Sequence, residues 1–190
     1  MLIDTKALYA KNLEVLKKEL SLGNINALPK IQKVSINVGL GLNRQNKEMV
    51  AYVTKSLTQI TGQKPLETFA HKAIAGFKIR QGDLVGLRVT LRGSRMNDFL
   101  NRLINITLPR IRDFKGIENN AFDKQGNLTI GFRDQVPFAE MGYDVLDKPF
   151  GLSATITIAR SNPEKSQILL QTLGFPMKEG TKVGLSKEIG

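Results

Sequence analysis

Three segments of this chain alternate apolar and polar residues with a period of two, and they constrain its fold more than any other feature. Val34, Ile36 and Val38 alternate with Lys33, Ser35 and Asn37; Leu87, Val89 and Leu91 alternate with Arg88, Thr90 and Arg92; Leu152, Ala154, Ile156 and Ile158 repeat the pattern late in the chain. A β-strand sends successive side chains to opposite sides, so each segment has one face fit for a core and one for water or a partner. Leu128, Ile130 and Phe132 predict a further strand, and Leu66–Ala70, after Pro65, a short one.

Helical spacing separates the strands. Tyr9, Leu13, Leu16 and Leu20 predict an opening amphipathic helix terminated by Gly23, and Val50, Val53, Leu57 and Ile60 a second one ended by Gly62. A third runs through Phe99, Leu103 and Ile106, with Ser94 as its expected cap and Pro109 as its boundary, and a last helix is introduced by Asn162-Pro163. The order α-β-α-β-β-α-β-β-α lacks the strict alternation of a parallel sheet. It predicts an α+β, two-layer domain with a largely antiparallel sheet, helices packed on one face and the other face open. That open face would carry Lys33, Asn37, Arg88, Thr90 and Arg92, which suit phosphates and ribose hydroxyls.

The charge balance points the same way. The 190 residues hold 28 Lys and Arg against 17 Asp and Glu, a net charge of +11. Residues 1–60 contribute +5 and residues 61–115 contribute +7, whereas the remainder contributes −1. An excess this lopsided predicts a polyanion, most simply a nucleic acid. A membrane surface is disfavoured because the helices lack a basic polar face opposite a bulky apolar one. With 41% hydrophobic residues, no repeat and no low-complexity linker, one packed domain is expected. The absence of cysteine excludes disulfides and thiolate chemistry and fits a reducing, cytoplasmic setting. Neither a signal peptide nor a membrane span is expected.

Catalytic patterns are missing. Gly39-Leu40-Gly41 follows a strand and precedes a helix, but Arg44 stands where a dinucleotide fingerprint needs its third glycine, so a tight turn is the expected reading. His71 is the only histidine and has no recognisable carboxylate partner. Asp123-Lys124-Gln125-Gly126-Asn127 lacks the rest of a calcium loop and predicts a hairpin turn. We therefore expect no enzyme, no metal, no cofactor, no small-molecule substrate and no homo-oligomer.

Residues 71–82, His71-Lys72-Ala73-Ile74-Ala75-Gly76-Phe77-Lys78-Ile79-Arg80-Gln81-Gly82, are long for a hairpin connection. Two glycines, cations near the tip and a potentially stacking Phe77 predict an arm that reaches a separate nucleic acid; the plain alternative is a loop whose Ile74, Phe77 and Ile79 pack back on the domain.

Several runs resemble the bacterial large-subunit ribosomal protein L5 family, in the family's order. They are Leu57-Thr58-Gln59-Ile60-Thr61-Gly62-Gln63-Lys64-Pro65-Leu66, Ala75-Gly76-Phe77-Lys78-Ile79-Arg80-Gln81-Gly82, Val89-Thr90-Leu91-Arg92-Gly93, Leu108-Pro109-Arg110-Ile111-Arg112-Asp113-Phe114 and Phe122-Asp123-Lys124-Gln125-Gly126-Asn127. The resemblance implies a non-catalytic constituent of the large ribosomal subunit that binds 5S rRNA and anchors it in the central protuberance, beside 23S rRNA. It implies 5S contacts at Asn37, Gln63 and Thr90, with Lys33 and Arg92 nearby. It implies a contact between the 71–82 loop (Lys72, Gly76, Phe77, Lys78 and Arg80) and P-site tRNA. A bridge to small-subunit protein S13 is implied around Arg110, Arg112, Asp113 and Phe114.

Three departures from the family pattern stand out. His71 occupies a position where Lys or Arg is usual, residues 136–150 match loosely, and residues 179–190 extend past the usual end. Residues 1–178 are thus expected to form the domain and 179–190 a flexible extension. Two other classes stay open: a freestanding RNA chaperone or regulator using the same basic face, and a nucleotide-dependent enzyme using the Gly39-Leu40-Gly41 turn.

Overall fold

The computed structural model describes residues 4–141 and 148–178. Residues 142–147 of the divergent stretch 136–150, and the expected extension 179–190, lie outside the described residues. Helices α1 (Thr5–Lys11) and α2 (Leu13–Glu19) lead into β1 (Lys30–Gly39), then α3 (Lys47–Thr61), β2 (Leu66–Phe69) and β3 (Leu84–Leu91). Next come α4 (Gly93–Arg102), a π-helical stretch Leu103–Thr107, α5 (Leu108–Arg110), β4 (Leu128–Phe132), β5 (Leu152–Ala159) and α6 (Pro163–Thr172). The five described strands form one sheet in the order β2-β3-β1-β5-β4, and every pairing is antiparallel, so the fold is α+β as the element order predicts.

The period-two pattern sets the faces. Val34, Ile36 and Val38 of β1, Leu87, Val89 and Leu91 of β3, and Leu152, Ala154, Ile156 and Ile158 of β5 are all buried. They join a continuous core with Val53, Leu57 and Ile60 of α3, Phe99 and Leu100 of α4, and Leu169 and Leu170 of α6. Shifting any of these strands by one residue would bring its polar set into the core, so burial fixes the register.

Local chemistry explains the ends of α3. Asn46 Oδ1 accepts hydrogen bonds from the Glu48 and Met49 amides, at 3.0 and 3.2 Å, and Gly62 closes the helix in the left-handed conformation at φ 67°.

Several sequence expectations are corrected. The opening helix is two helices meeting at Asn12, and α2 ends at Glu19 with Leu20 as its C-cap, ahead of Gly23. Ser94 does not cap α4: Arg92 occupies the cap position, no side chain bonds there, and Ser94 lies inside the first turn. Pro109 does not bound the third helix. The helical path widens into the π stretch, and Pro109 falls in the first positions of α5, where a missing N–H costs least. Ile106, expected on the apolar face, is 36% exposed.

Hydrogen bonds to one carboxylate shape the Asp123–Asn127 turn. Asp123 accepts from the Asn127 side chain at 2.7 Å, the Asn127 amide at 2.8 Å and the Gln125 amide at 2.9 Å. These bonds, the Asn127 side chain's first, hold its carboxyl below the usual carboxylate range. Gly126 sits at φ 81°, and a Cβ there would stand 2.6 Å from the Asn162 carbonyl, so this turn packs tightly onto the start of α6.

Candidate nucleic-acid interface

Strand register assembles the polar face row by row. Asn37 lies opposite Arg88 on one side and Ser153 on the other. Ser35 lies between Thr90 and Thr155, and Thr155 faces Thr129, with their hydroxyls 3.0 Å apart. Lys33 is opposite Thr157, and Arg92 follows Leu91, the partner of Val34. Asn37, Arg88 and Arg92 are exposed; Lys33 and Thr90 are half-buried.

None of these rows contains a carboxylate, and among the described residues Lys33, Arg88 and Arg92 have no ion-pair partner. The surface thus combines free cations, which attract phosphates, with hydroxyl and amide groups able to donate and accept hydrogen bonds.

Gln63 reaches the edge of this face from the turn after α3. Its Nε2 donates to the Thr90 carbonyl, and Arg95 Nη1 donates to its Oε1, both at a long 3.5 Å. Thr61 shapes the turn: its hydroxyl donates to the Leu57 carbonyl at 2.7 Å and accepts from the Gln63 amide at 3.2 Å. The structure therefore brings Gln63 and Thr90 together and adds Arg95, which sequence reading did not single out. Arg95 lies in the first turn of α4, and no periodicity marks it as a partner of residue 63.

The 71–82 loop is more ordered than an unconstrained arm. Ile74 and Ile79 exchange backbone hydrogen bonds of 2.9 and 3.2 Å around a 3-10 turn, Ala75–Phe77, and Lys78 takes the left-handed conformation at φ 52°. Its base is tied by hydrogen bonds from the Gly82 amide to the Ala70 carbonyl and from the Ala70 amide to the Asp83 carbonyl. At the tip, Phe77 is 69% and Ile74 is 48% exposed, so these two do not pack back; Ile79 is half-buried. Lys72, Gly76, Lys78 and Arg80 are all exposed.

The clamp on this loop is Arg44. Its Nη1 donates to the Gly41 carbonyl at 3.0 Å, and its Nη2 to the Lys78 and Phe77 carbonyls at 2.6 and 3.5 Å. Its Nε stands 4.0 Å from Asp83 Oδ2, and the same carboxylate oxygen accepts from the Arg80 amide at 2.9 Å. The side chain is only 9% exposed. In the sequence, Arg44 is marked only by the break it makes in a glycine fingerprint.

Arg110, Arg112, Asp113 and Phe114 fall elsewhere, in α5 and the connection from it to β4. Phe114 packs against the core, while Arg110, Arg112 and Asp113 are exposed and Asp113 has φ 57°. The Arg112–Asp113 pair, 3.9 Å apart and almost fully solvated, adds little stability.

Residues 24–80 match the family model described as "Ribosomal protein L5", and residues 84–177 match the model for the C-terminus of the same ribosomal family. A protein of Francisella tularensis subsp. novicida, named "Large ribosomal subunit protein uL5", is 45% identical over 174 residues, covering 91% of this chain and 97% of its own. One of the same name from Francisella philomiragia is 45% identical over 163 residues, 86% of this chain and 91% of its own.

The chain belongs to the ribosomal protein L5 family. As an L5-family member it is a structural ribosomal protein and not an enzyme. The first matched region carries β1, α3, β2 and the loop as far as Arg80; the second starts at β3 and takes in the rest of the sheet. Among the described residues of this L5-family chain, no helix is long and apolar enough to cross a membrane.

Proposed function

We propose that this chain is a structural constituent of the large ribosomal subunit, where it binds 5S rRNA and anchors it in the central protuberance against 23S rRNA. In this reading the open sheet face takes the 5S RNA through Lys33, Asn37, Gln63, Thr90 and Arg92. The 71–82 loop touches P-site tRNA through its backbone and the Lys72, Lys78 and Arg80 cations, with Phe77 available to stack. Arg110, Arg112, Asp113 and Phe114 face small-subunit protein S13 across the subunit interface.

One observation carries the proposal. The register sets cations, amides and hydroxyls side by side in strand rows that, among the described residues, contain no carboxylate, a combination suited to RNA backbones. The loop is separate from that face and separately anchored, so two RNA contacts can be made at once. A gel-shift comparison of 5S rRNA with an unrelated structured RNA across a salt series tests the assignment. Preferential 5S binding that persists as salt rises supports it. Equal affinity for both RNAs, falling in parallel with salt, would identify a general RNA chaperone instead.

A further inference from the structure

A second basic surface lies on the other side of the sheet. Along α3, Lys47, Ala51 and Lys55 recur every fourth residue and so share one helical face. That face, Lys64 beyond the helix, Glu67 of β2 and Arg44 line an open groove of about 580 Å³.

Glu67 fixes which side of the sheet this is. It pairs with Leu87, whose side chain is in the core, whereas its neighbour Leu66 pairs with Arg88 on the polar face. Strand alternation therefore puts the groove and the Asn37–Thr90 face on opposite sides.

Lys47, Lys55 and Lys64 are exposed, and among the described residues none has an ion-pair partner. Glu67 is the single carboxylate in the lining, so the groove keeps a net positive field. Between the lysines stand Ala51 and Thr54, small enough to let a polymer backbone lie close to the helix. At 1.5 Å per residue, Lys47 and Lys55 are roughly 12 Å apart along the axis, a span suited to successive charges on a polyanion rather than to one small ligand. The groove is too open to bury most of a small molecule's surface. Its composition also disfavours a protein partner, because lysine is depleted in protein interfaces, where arginine supplies the directional pairs.

We infer that the α3–β2 groove, through Lys47, Lys55 and Lys64, binds the sugar-phosphate backbone of a second RNA segment while the opposite sheet face holds the first. The contact is sequence-independent, because three flexible ammonium groups act as point charges and read no base edge. The protein is then a wedge gripped on both sides by RNA, and its removal separates two strands instead of exposing one. Only the identity of the first RNA rests on the 5S reading.

The test uses the full chain and the combined substitutions Lys47→Gln, Lys55→Gln and Lys64→Gln. A control carries Lys11→Gln, Lys18→Gln and Lys124→Gln, which lie outside the groove. The probe is a labelled RNA duplex of about 20 base pairs, titrated against the free protein and against a preformed complex with 5S rRNA.

Duplex affinity of the groove variant should fall about tenfold in both arms, and its log affinity should depend on log salt with a slope shallower by about 2 to 3. Its 5S affinity should stay within about twofold of the parent, and the control should retain duplex binding. Three results would overturn the inference: unchanged duplex affinity and slope, an equal loss in the control, or loss of 5S binding with the duplex unaffected. The free-protein arm keeps the test valid even if 5S rRNA does not bind. Because all three lysines are exposed, the variant should melt within a few degrees of the parent.

Discussion

Arg44 donates a 2.6 Å hydrogen bond to the backbone carbonyl of Lys78, thirty-four residues further along the chain. That bond, with those to Gly41 and Phe77, holds a solvent-exposed loop to the turn between β1 and α3. Because a guanidinium is planar and carries several donors, one side chain can satisfy all three carbonyls; lysine can replace its charge but not its geometry. Arg44→Lys should therefore speed amide hydrogen exchange at Ile74 and Ile79 while leaving the β1 amides protected. Equal protection at Ile74 and Ile79 in parent and variant would show that the loop orders itself without the clamp.

The loop and the sheet face are separable, and so should be their functions. Charge reversal at Lys78 and Arg80 is expected to leave 5S rRNA affinity within about twofold and to weaken a tRNA contact about tenfold or more at low salt. Filter binding with each RNA measures both. Loss of 5S binding would place the loop in the wrong RNA footprint.

Stability in the second half of the chain turns on a buried amide. Gln135 is 0% exposed; its Oε1 accepts from the Phe150 amide at 2.9 Å and its Nε2 donates to the Lys148 carbonyl at 3.1 Å. Gln135→Leu keeps the volume but strands those backbone groups, so it should destabilise the fold by about 1 to 3 kcal/mol in urea unfolding. An unchanged midpoint would mean that water or another partner replaces the amide at little cost.

The Asp123 turn gives a pH dependence whose sign follows from its bonds. Its folded carboxyl is held below the ordinary range, chiefly by the Asn127 side chain, so its stabilisation is present above the unfolded value of about 4 and lost as pH falls through the lower folded value. The stability gap between parent and Asp123→Ala should accordingly narrow as pH drops from about 5 towards 2. A constant gap over that range, measured by thermal melts, would show that the carboxylate's charge is irrelevant to the turn.

How far the fold could be read in the sequence depended on whether the governing interaction was local. Strands β1, β3 and β5 announce themselves because a half-buried strand must alternate, and the position of Asn37, Thr90 and Lys33 on one face follows from that alternation alone. Helix ends were harder. Ser94 has the right chemistry for a cap, but the cap position falls earlier, at Arg92, and Pro109 is accommodated where the helical hydrogen-bond register changes. The loop clamp was not legible: Arg44 acts on backbone carbonyls, which have no sequence signature, at residues brought near only by the folded sheet. Arg95 escaped for the same reason, since its partner Gln63 is thirty-two residues away.

In the proposed function one face of the sheet is the 5S rRNA platform. Its most direct measurement is the equilibrium dissociation constant of 5S rRNA for Asn37→Ala, Gln63→Ala and Thr90→Ala, each beside the parent at one salt concentration. A loss of about 1 to 3 kcal/mol is expected wherever a contact buried in the complex is removed. Parental affinity in all three variants would contradict it.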